Sequence, residues 1–318
     1  MAWVSFCIST YKRPDFIKKQ IGLLLQQAFT DFEIVVSDND PDASAKESVT
    51  SFQDSRVKYF ENGTNLGMIK SFNKSIERST SEFIVMVTDD DPVEVDFLDF
   101  FYKLYLKYPH RSAYCGFLQK DVPYLDVRTI EKEHFISHLL DTDKTTEILW
   151  SSCVMKKSAV LQIGGFPDYG SPILADHAMI AMVGSIEGAV VVNKMFSHMV
   201  LHGGNYSLNS FKHYPEAFDG FYNKLEEHYK GFPEEESDKR AVLKHLEEKF
   251  LKDYYALKKY FAVKTKDKAN ETELENMATK MLSLPFMARF KKDFFFAKSK
   301  FALLKKAYQL RNVIVKYK

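Results

Sequence analysis

Phe83-Ile84-Val85-Met86-Val87-Thr88-Asp89-Asp90-Asp91-Pro92 is the stretch that decides the fold. Five consecutive apolar residues ending on polar ones read as a buried strand. Its polar end then gathers three carboxylates at one point on the carboxyl edge of a sheet. Like charges so close repel one another, and a fold has no need of three there. A divalent cation removes the objection, because Mg2+ and Mn2+ take oxygen ligands and often share them with substrate phosphates. The plainer reading is a solvated turn that caps a helix beginning near Pro92-Val93. The strand before the triplet, and the segments upstream of it, favour the cation.

Upstream, strand and helix patterns alternate with short connections. Strands read at Trp3–Ser9, Phe32–Ser37, Val57–Glu61 and Phe83–Thr88. Between them Ile17, Ile21, Leu24, Leu25 and Ala28 form one helical stripe, and Ile69, Phe72 and Ile76 another. Pro14 stands where the first helix should start and Pro41-Asp42 where the second should. Such alternation predicts a mainly parallel sheet with helices on both faces, whose ligands bind beyond the carboxyl ends of the strands. The residues at those ends are polar: Ser9-Thr10-Tyr11-Lys12-Arg13, then Ser37-Asp38-Asn39-Asp40, then Asn62-Gly63-Thr64-Asn65, then the acidic triplet. Asp38 can accept a hydrogen from a nucleobase, and Thr10 or Tyr11 can line it. Asp38 and Asn65 are also ordinary turn residues. The four polar ends together point to a nucleoside diphosphate. GxGxxG and GxxxxGK[ST] are both absent, so the diphosphate is expected to be held through the cation.

Bulk properties exclude more than they decide. The 318 residues carry a net charge of +1 and 45% hydrophobic residues. Cys7, Cys115 and Cys153 lie far apart in apolar contexts and read as buried thiols of a reducing compartment. No basic leader precedes the first strand and no apolar stretch is long enough to span a bilayer, so a cytoplasmic location is expected, with any membrane contact peripheral on its inner face.

The order ISTYKRP, FEIVVSDND, NLG with SFNKSI, and FIVMVTDDDP, followed by GGFPD, ILADH and HGGNYS, resembles family 2 glycosyltransferases of the bacterial surface-polysaccharide type. That resemblance spans about the first 210 residues and implies the GT-A fold, a Rossmann-like mixed, mainly parallel sheet with flanking helices. It implies a nucleotide sugar lying across the strand ends, uridine diphosphate being the default carrier, and Mn2+ or Mg2+ on an acidic DxD-type motif. Nucleotide contacts carried over by it are Thr10, Tyr11, Arg13, Asp38, Asn65, Lys70, Asn73, Asp89 and Asp90. The metal set is Asp89, Asp90, Asp91 and His202. Two departures stand. Where the family often has Asp-X-Asp-Asp, this chain has Thr88-Asp89-Asp90-Asp91; aligned on its end Asp90 is the ligand, aligned on its start Asp89 and Asp91 are. Where the family often has an arginine before Asn73, this chain has Phe72, which leaves diphosphate contacts on that helix to Lys70 or Lys74.

Between 119 and 210 the pattern loosens. Thr129–Lys144 reads as a surface helix or an acceptor-side loop, Ile148–Met155 as a strand, and Lys157–Ile163 as a helix broken by Gly164-Gly165. Asp176 opens the helical pattern Ala178–Val183. From the residues alone it is an N-cap or a general base in equal measure; the resemblance makes it the base, with Ala175 in place of the glutamate of a Glu-Asp pair. His198 reads as a structural strand residue.

Beyond 211 the chain turns helical. Leu243, Leu246, Phe250, Tyr254, Leu257 and Phe261 mark one long helix after the acidic Glu234–Asp238, and Asn270–Leu282 a shorter one. From Pro285 onward ten Lys or Arg face one acid, Asp293, a net +9 that leaves −8 for the remainder of a chain totalling +1. Met287, Phe290, Phe294, Phe301, Leu304 and Tyr308 run through this tail as a stripe. A basic aromatic helix suits an anionic membrane surface, or else packs on a protein. Nucleic acid is a poorer fit, as no binding module accompanies the charge.

Three regions follow: 1–118 for the nucleotide sugar, 119–210 for acceptor and base, and 211–318 as a helical region with its basic tail from 285. The expected function is a metal-dependent, inverting glycosyltransferase acting on a saccharide or lipid-linked saccharide. The rivals are a sugar-phosphate nucleotidyltransferase and an inactive sugar-nucleotide-binding protein.

Overall fold

The computed structural model describes residues 2–200 and 210–299. The chain divides into two compact units, Met1–Ser207 with Glu216–His245, and Leu208–Pro215 with Leu246–Lys318. Residues 216–245 thus belong with the sheet, so the sequence boundary at 210/211 and the boundary between units differ.

In the first unit, strands β1 (Val4–Thr10), β2 (Phe32–Asp38), β3 (Val57–Glu61) and β4 (Phe83–Val87) alternate with helices α1 (Pro14–Leu24), α2 (Lys46–Thr50) and α3 (Met68–Arg78). After α4 (Phe97–Lys107) come β5 (Ala113–Gly116), β6 (Leu118–Gln119), β7 (Val127–Ile130), α5 (Phe135–Leu140), β8 (Thr145–Glu147) and β9 (Cys153–Lys156). Helices α6 (Lys157–Gln162) and α7 (Ala175–Glu187) then lead into β10 (Ala189–Val192). The main sheet has the order β3-β2-β1-β4-β9-β5-β10-β7. All strands run in parallel except β9 and β7, which are reversed. Strands β6 and β8 pair separately. The expectation of a mixed, mainly parallel sheet is met.

Strands β2 and β4 are buried throughout, as both-face coverage requires. Each fully buried Val, Ile or Phe contributes about 1.5–3 kcal/mol, enough in sum to offset holding charged residues at the strand ends. Cys7, Cys115 and Cys153 are buried free thiols.

Several boundaries fall elsewhere than the sequence suggests, each for a local reason. Helix α1 stops at Leu24, so Ala28 lies outside it and is exposed. Helix α2 begins at Lys46 and not at Pro41, because Asp38 accepts the N–H groups of Asp40 and Ala45 and holds the intervening residues as a turn. Helix α4 begins at Phe97 and not near Pro92. There the chain is kept extended: Val93 bridges Ser197, and the N–H of Glu94 donates to the carbonyl of Phe196 at 2.8 Å. The run Ile148–Met155 is split by a 3-10 turn at Trp150–Ser152 before β9. Thr129–Lys144 is no surface helix: α5 buries Phe135, Ile136, Leu139 and Leu140, and burial lowers the His138 pKa to about 4.

Helix α8 (Tyr214–Tyr229) and helix α9 (Glu235–Lys259) follow, with the unit boundary between His245 and Leu246. In the second unit Phe250, Tyr254, Leu274, Met277 and Met281 are buried, the last three on α10 (Lys268–Met281). Met287, Phe290 and Phe294 are buried as well, and the Phe294 ring lies 5.2 Å from Phe250 and 5.0 Å from Tyr254. This half of the tail's apolar stripe is therefore protein core and not a membrane face. Phe301, Leu304 and Tyr308 lie outside the described residues. Among the described residues no helix is long and apolar enough to cross a membrane.

Candidate active site

Strand register builds the site. The pairing of β1 with β4 (Ile8 beside Val87) carries Thr10 level with Asp89, and the pairing of β1 with β2 sets Thr10 beside Asp38. Thr10 Oγ1 donates to Asp89 Oδ2 at 2.9 Å. Arg13, the last residue before α1, bridges the triplet: its Nη1 lies 3.0 Å from Asp89 Oδ1 and 2.9 Å from Asp90 Oδ2. Asp89 and Asp91 are only 6% and 7% exposed, so the triplet is not a solvated turn. Burial raises the Asp89 pKa, with Arg13 and Thr10 opposing it. Burial alone would lower the Arg13 pKa, but Asp89 and Asp90 prevail and raise it.

The acidic turn is braced from two sides. Gln20, a polar residue within the buried face of α1, donates its side-chain amide to the Asp91 carbonyl at 2.7 Å. Asp91 donates its N–H to Thr88 Oγ1, and its Oδ1 accepts the N–H of Val200 at 3.0 Å. Val200 is the last described residue before the segment holding His202, and His202 itself lies outside the described residues. His198 is exposed, 3.4 Å from Glu94, in no regular strand.

Asp38 is fully buried, and its carboxylate organises its own loop. Besides Asp40 and Ala45 it accepts the Tyr59 hydroxyl at 2.8 Å, and burial together with this contact pushes the Tyr59 pKa up. Asn65 joins a network that the sequence does not advertise. Asn39 donates to Asn65 Oδ1 at 2.8 Å and accepts from Asn62 and from the Leu66 N–H, while Arg78 donates to Ser37 and Asn62. Tyr11 is 42% exposed at the mouth of this edge, and Lys70 is exposed on α3. Lys74 pairs with Glu77 at 2.6 Å.

Asn73 reaches across to the glycine turn of the other half. Its amide donates to the Phe166 carbonyl at 2.9 Å and accepts the Phe166 N–H at 2.7 Å. Gly164 and Gly165 have φ of 88° and 85°, and a Cβ on Gly165 would lie 2.5 Å from Asn73 Oδ1. Phe72, standing where the resembled family has arginine, packs its ring 4.8 Å from Trp150 and 5.9 Å from Phe166.

Helix α7 runs back along the sheet into β10, which is parallel to β5 and, through reversed β9, to β4. Its N-terminus, with Asp176, therefore lies at the same carboxyl edge as the acidic turn. Asp176 is the second residue of α7; the cap position is Leu174, left-handed at φ 64°, with no side-chain cap bond. The N-cap reading of Asp176 is thus corrected. Its charge raises the pKa of Tyr169, after burial, which is the larger cause. His177 Nδ1 lies 2.9 Å from His245 Nε2.

Among the described residues no three His, Cys, Asp or Glu side chains converge as a metal shell. The oxygen donors present nevertheless suit a hard cation. Mg2+ is typically held by one or two carboxylates, its own waters and substrate phosphates. All three carboxylates already carry protein contacts, Asp89 with Thr10 and Arg13, Asp90 with Arg13, and Asp91 with the Val200 N–H.

Residues 5–161 match the family described as Glycosyl transferase family 2. That region belongs to glycosyl transferase family 2. Among relatives of the family 2 region, a GalNAc(5)-diNAcBac-PP-undecaprenol beta-1,3-glucosyltransferase of Campylobacter jejuni is 32% identical over 94 residues, 29% of this chain and 30% of that one. The Escherichia coli UDP-Glc:alpha-D-GlcNAc-diphosphoundecaprenol beta-1,3-glucosyltransferase WfgD is 27% identical over 88 residues, 28% of this chain and 35% of that one. The chain spans about a third of the length of these curated relatives. In fold it is similar to S. aureus TarS 1–349, with a TM-score of 0.61 at 15% identity over 90% of this chain and 81% of that one. It is also similar to the Pyrobaculum calidifontis mannosyltransferase PcManGT solved with GDP-Man and Mn2+, with a TM-score of 0.51 at 17% identity over 88% of this chain and 87% of that one. The family 2 region and the strands that complete its sheet have the GT-A arrangement, followed by a helical C-terminal region.

Proposed function

We propose that the chain is a glycosyltransferase that moves a sugar from a nucleoside diphosphate sugar to a lipid-linked saccharide, with inversion at the anomeric carbon. The observation that carries this reading is the meeting, on one sheet edge, of the buried acidic turn of the family 2 region and the helix end bearing Asp176. Uridine diphosphate is favoured because the Escherichia coli relative is named for UDP-Glc, and an undecaprenol-linked acceptor because the Escherichia coli and Campylobacter jejuni relatives are both named for one.

The acceptor hydroxyl forms the new C–O bond from the face opposite the diphosphate, whose bond to the anomeric carbon breaks. Asp176 takes the hydroxyl proton. Exposed Tyr11 faces the nucleoside, with Asn65 and buried Asp38 keeping the neighbouring loops in shape and Thr10 holding Asp89, while Arg13 and Lys70 supply positive charge. Asn73 acts at one remove, through the turn at Phe166. Asp90 and Asp91, with His202 as the resemblance implies, would hold Mn2+ or Mg2+, which would offset charge on the leaving diphosphate.

The test is release of nucleoside diphosphate from UDP-glucose and UDP-N-acetylglucosamine in the presence of undecaprenyl-diphosphate-linked N-acetylglucosamine. Wild type should turn over, and Asp176→Asn should lose about 10²–10⁴-fold in kcat with donor affinity kept. Asp176→Asn within a few-fold of wild type would reject the base. No release from UDP, GDP, CDP or dTDP sugars, with any such acceptor, would reject the glycosyltransferase.

A further inference from the structure

Residues 291–299 are helical and are held to the second unit by one face only. Phe294 is 1% exposed against Phe250 and Tyr254. One turn later Lys298 pairs with Glu275 of α10 at 2.7 Å. Glu275 also receives the Tyr254 hydroxyl and Lys258; burial alone would raise its pKa, yet these three donors hold it at about 2. The anchor is therefore both apolar and ionic, and it fixes which way the helix faces.

On a helix, positions 292, 296 and 299 lie away from 294 and 298, and 295 stands at the margin between the two faces. Those positions hold Lys292, Phe295, Phe296 and Ser299, with Lys291 beside Phe295. Phe295 is 49% exposed and Phe296 75%, the most exposed phenylalanines among the described residues, and both lysines are exposed. A soluble surface gains nothing from two adjacent bare phenylalanines, whereas a lipid headgroup layer accepts aromatic rings and pairs the lysines with anionic lipid.

We propose that Phe295 and Phe296, flanked by Lys291 and Lys292, form an insertion point for an anionic membrane surface. Charge selects the occupant. Residues 285–318 have ten Lys or Arg against Asp293 alone, in a chain whose total is +1. A second copy of so basic a segment would be repelled, and an anionic bilayer attracted. The surface differs from the stripe that sequence periodicity picks out, since Met287, Phe290 and Phe294 are core. The inference rests on the second unit only and stands apart from the catalytic reading.

The experiment uses the full chain and two vesicle preparations, phosphatidylglycerol with phosphatidylethanolamine, and phosphatidylcholine alone. Wild type should sediment with the anionic vesicles and be released by salt, as screening of surface charge requires. Phe295→Ser with Phe296→Ser should abolish sedimentation at an unchanged melting temperature, because neither ring is buried. Lys291→Ala and Lys292→Ala should each weaken binding about fivefold. Phe296→Trp should shift its emission to the blue on adding anionic vesicles. The proposal is overturned if wild type ignores anionic vesicles, or if the double serine variant binds them as well as wild type. It is overturned too if Phe296→Trp emission stays unmoved, or if wild type proves a dimer that the double serine variant splits.

Discussion

The two halves of the sheet's carboxyl edge are built by different means. At the ends of β1, β2 and β4, side chain bonds side chain across neighbouring strands: Thr10 to Asp89, Arg13 to Asp89 and Asp90, Asn39 to Asn65. In the half formed by β5 to β10, side chains grip backbone. Asn73 holds both polar groups of Phe166, and Asn193 donates to the carbonyls of Val122 and Pro123 while accepting the Gln119 N–H. The first half is an electrostatic assembly in which Arg13 offsets part of the charge of Asp89 and Asp90. The second is an assembly of clamped turns. Damage to charge should thus be felt in the first half, and damage to backbone shape in the second.

The largest stability effect should come from breaking a clamp. Gly165→Ala places a Cβ 2.5 Å from Asn73 Oδ1 at a backbone φ of 85°, so strain and overlap add to about 3 kcal/mol. Denaturant unfolding should show that loss. A change under 1 kcal/mol would mean that the turn at Phe166 shifts freely and that Asn73 is no clamp.

Arg13→Ala should cost less, about 1–2 kcal/mol, because Arg13 is partly exposed and solvent screens the charges it leaves. Its signature is the pH dependence. Without Arg13 the raised pKa of Asp89 should climb further, so the variant should regain stability relative to wild type as pH falls and Asp89 protonates. Parallel stability curves for the two proteins would show that Arg13 does not carry the charge balance of this half.

The smallest effect sharpens the comparison from outside the edge. Asp238, on α9 within the first unit, is 1% exposed with Oδ1 unpartnered, and burial raises its pKa to about 6. A carboxyl with a raised folded pKa weakens the fold as pH climbs from the unfolded value near 4 through 6. Asp238→Asn should therefore stabilise by about 1 kcal/mol at pH 7 and by nothing near pH 3. His138, held neutral with its pKa at about 4, acts in the opposite sense, since stability falls as pH drops from 6.5 towards 4. A pH-independent gain in Asp238→Asn would assign the effect to packing and not to ionisation.

How legible each half was in the sequence follows from these constructions. Val4–Thr10 and Phe83–Val87 are apolar runs that end at once on polar residues, so strand and site are read together, and parallel register does the rest. The resemblance places Asp176; its helix is visible in the pattern, but the residue is the second of that helix and not its cap. The clamps were illegible because Asn73 and Phe166 are 93 residues apart, and nothing local marks Asn73 as the partner of a glycine turn. Gln20 was hidden within a helical stripe, though a polar residue beside Ile17, Ile21 and Leu24 is a signal that could have found it. The tail failed for a third reason. Helical periodicity identifies an apolar face but not what covers it, and here α9 does: Phe294 packs on Phe250 and Tyr254.

The central claim, a nucleoside diphosphate held at the end of β4 through a cation, is tested most directly by calorimetry of UDP binding. Wild type should bind in Mn2+ or Mg2+ and lose most affinity in EDTA. Asp90→Ala with Asp91→Ala should bind weakly in either condition, with the melting temperature recorded alongside. Equal affinity with and without metal, in a double variant that binds UDP as wild type does, would contradict the account.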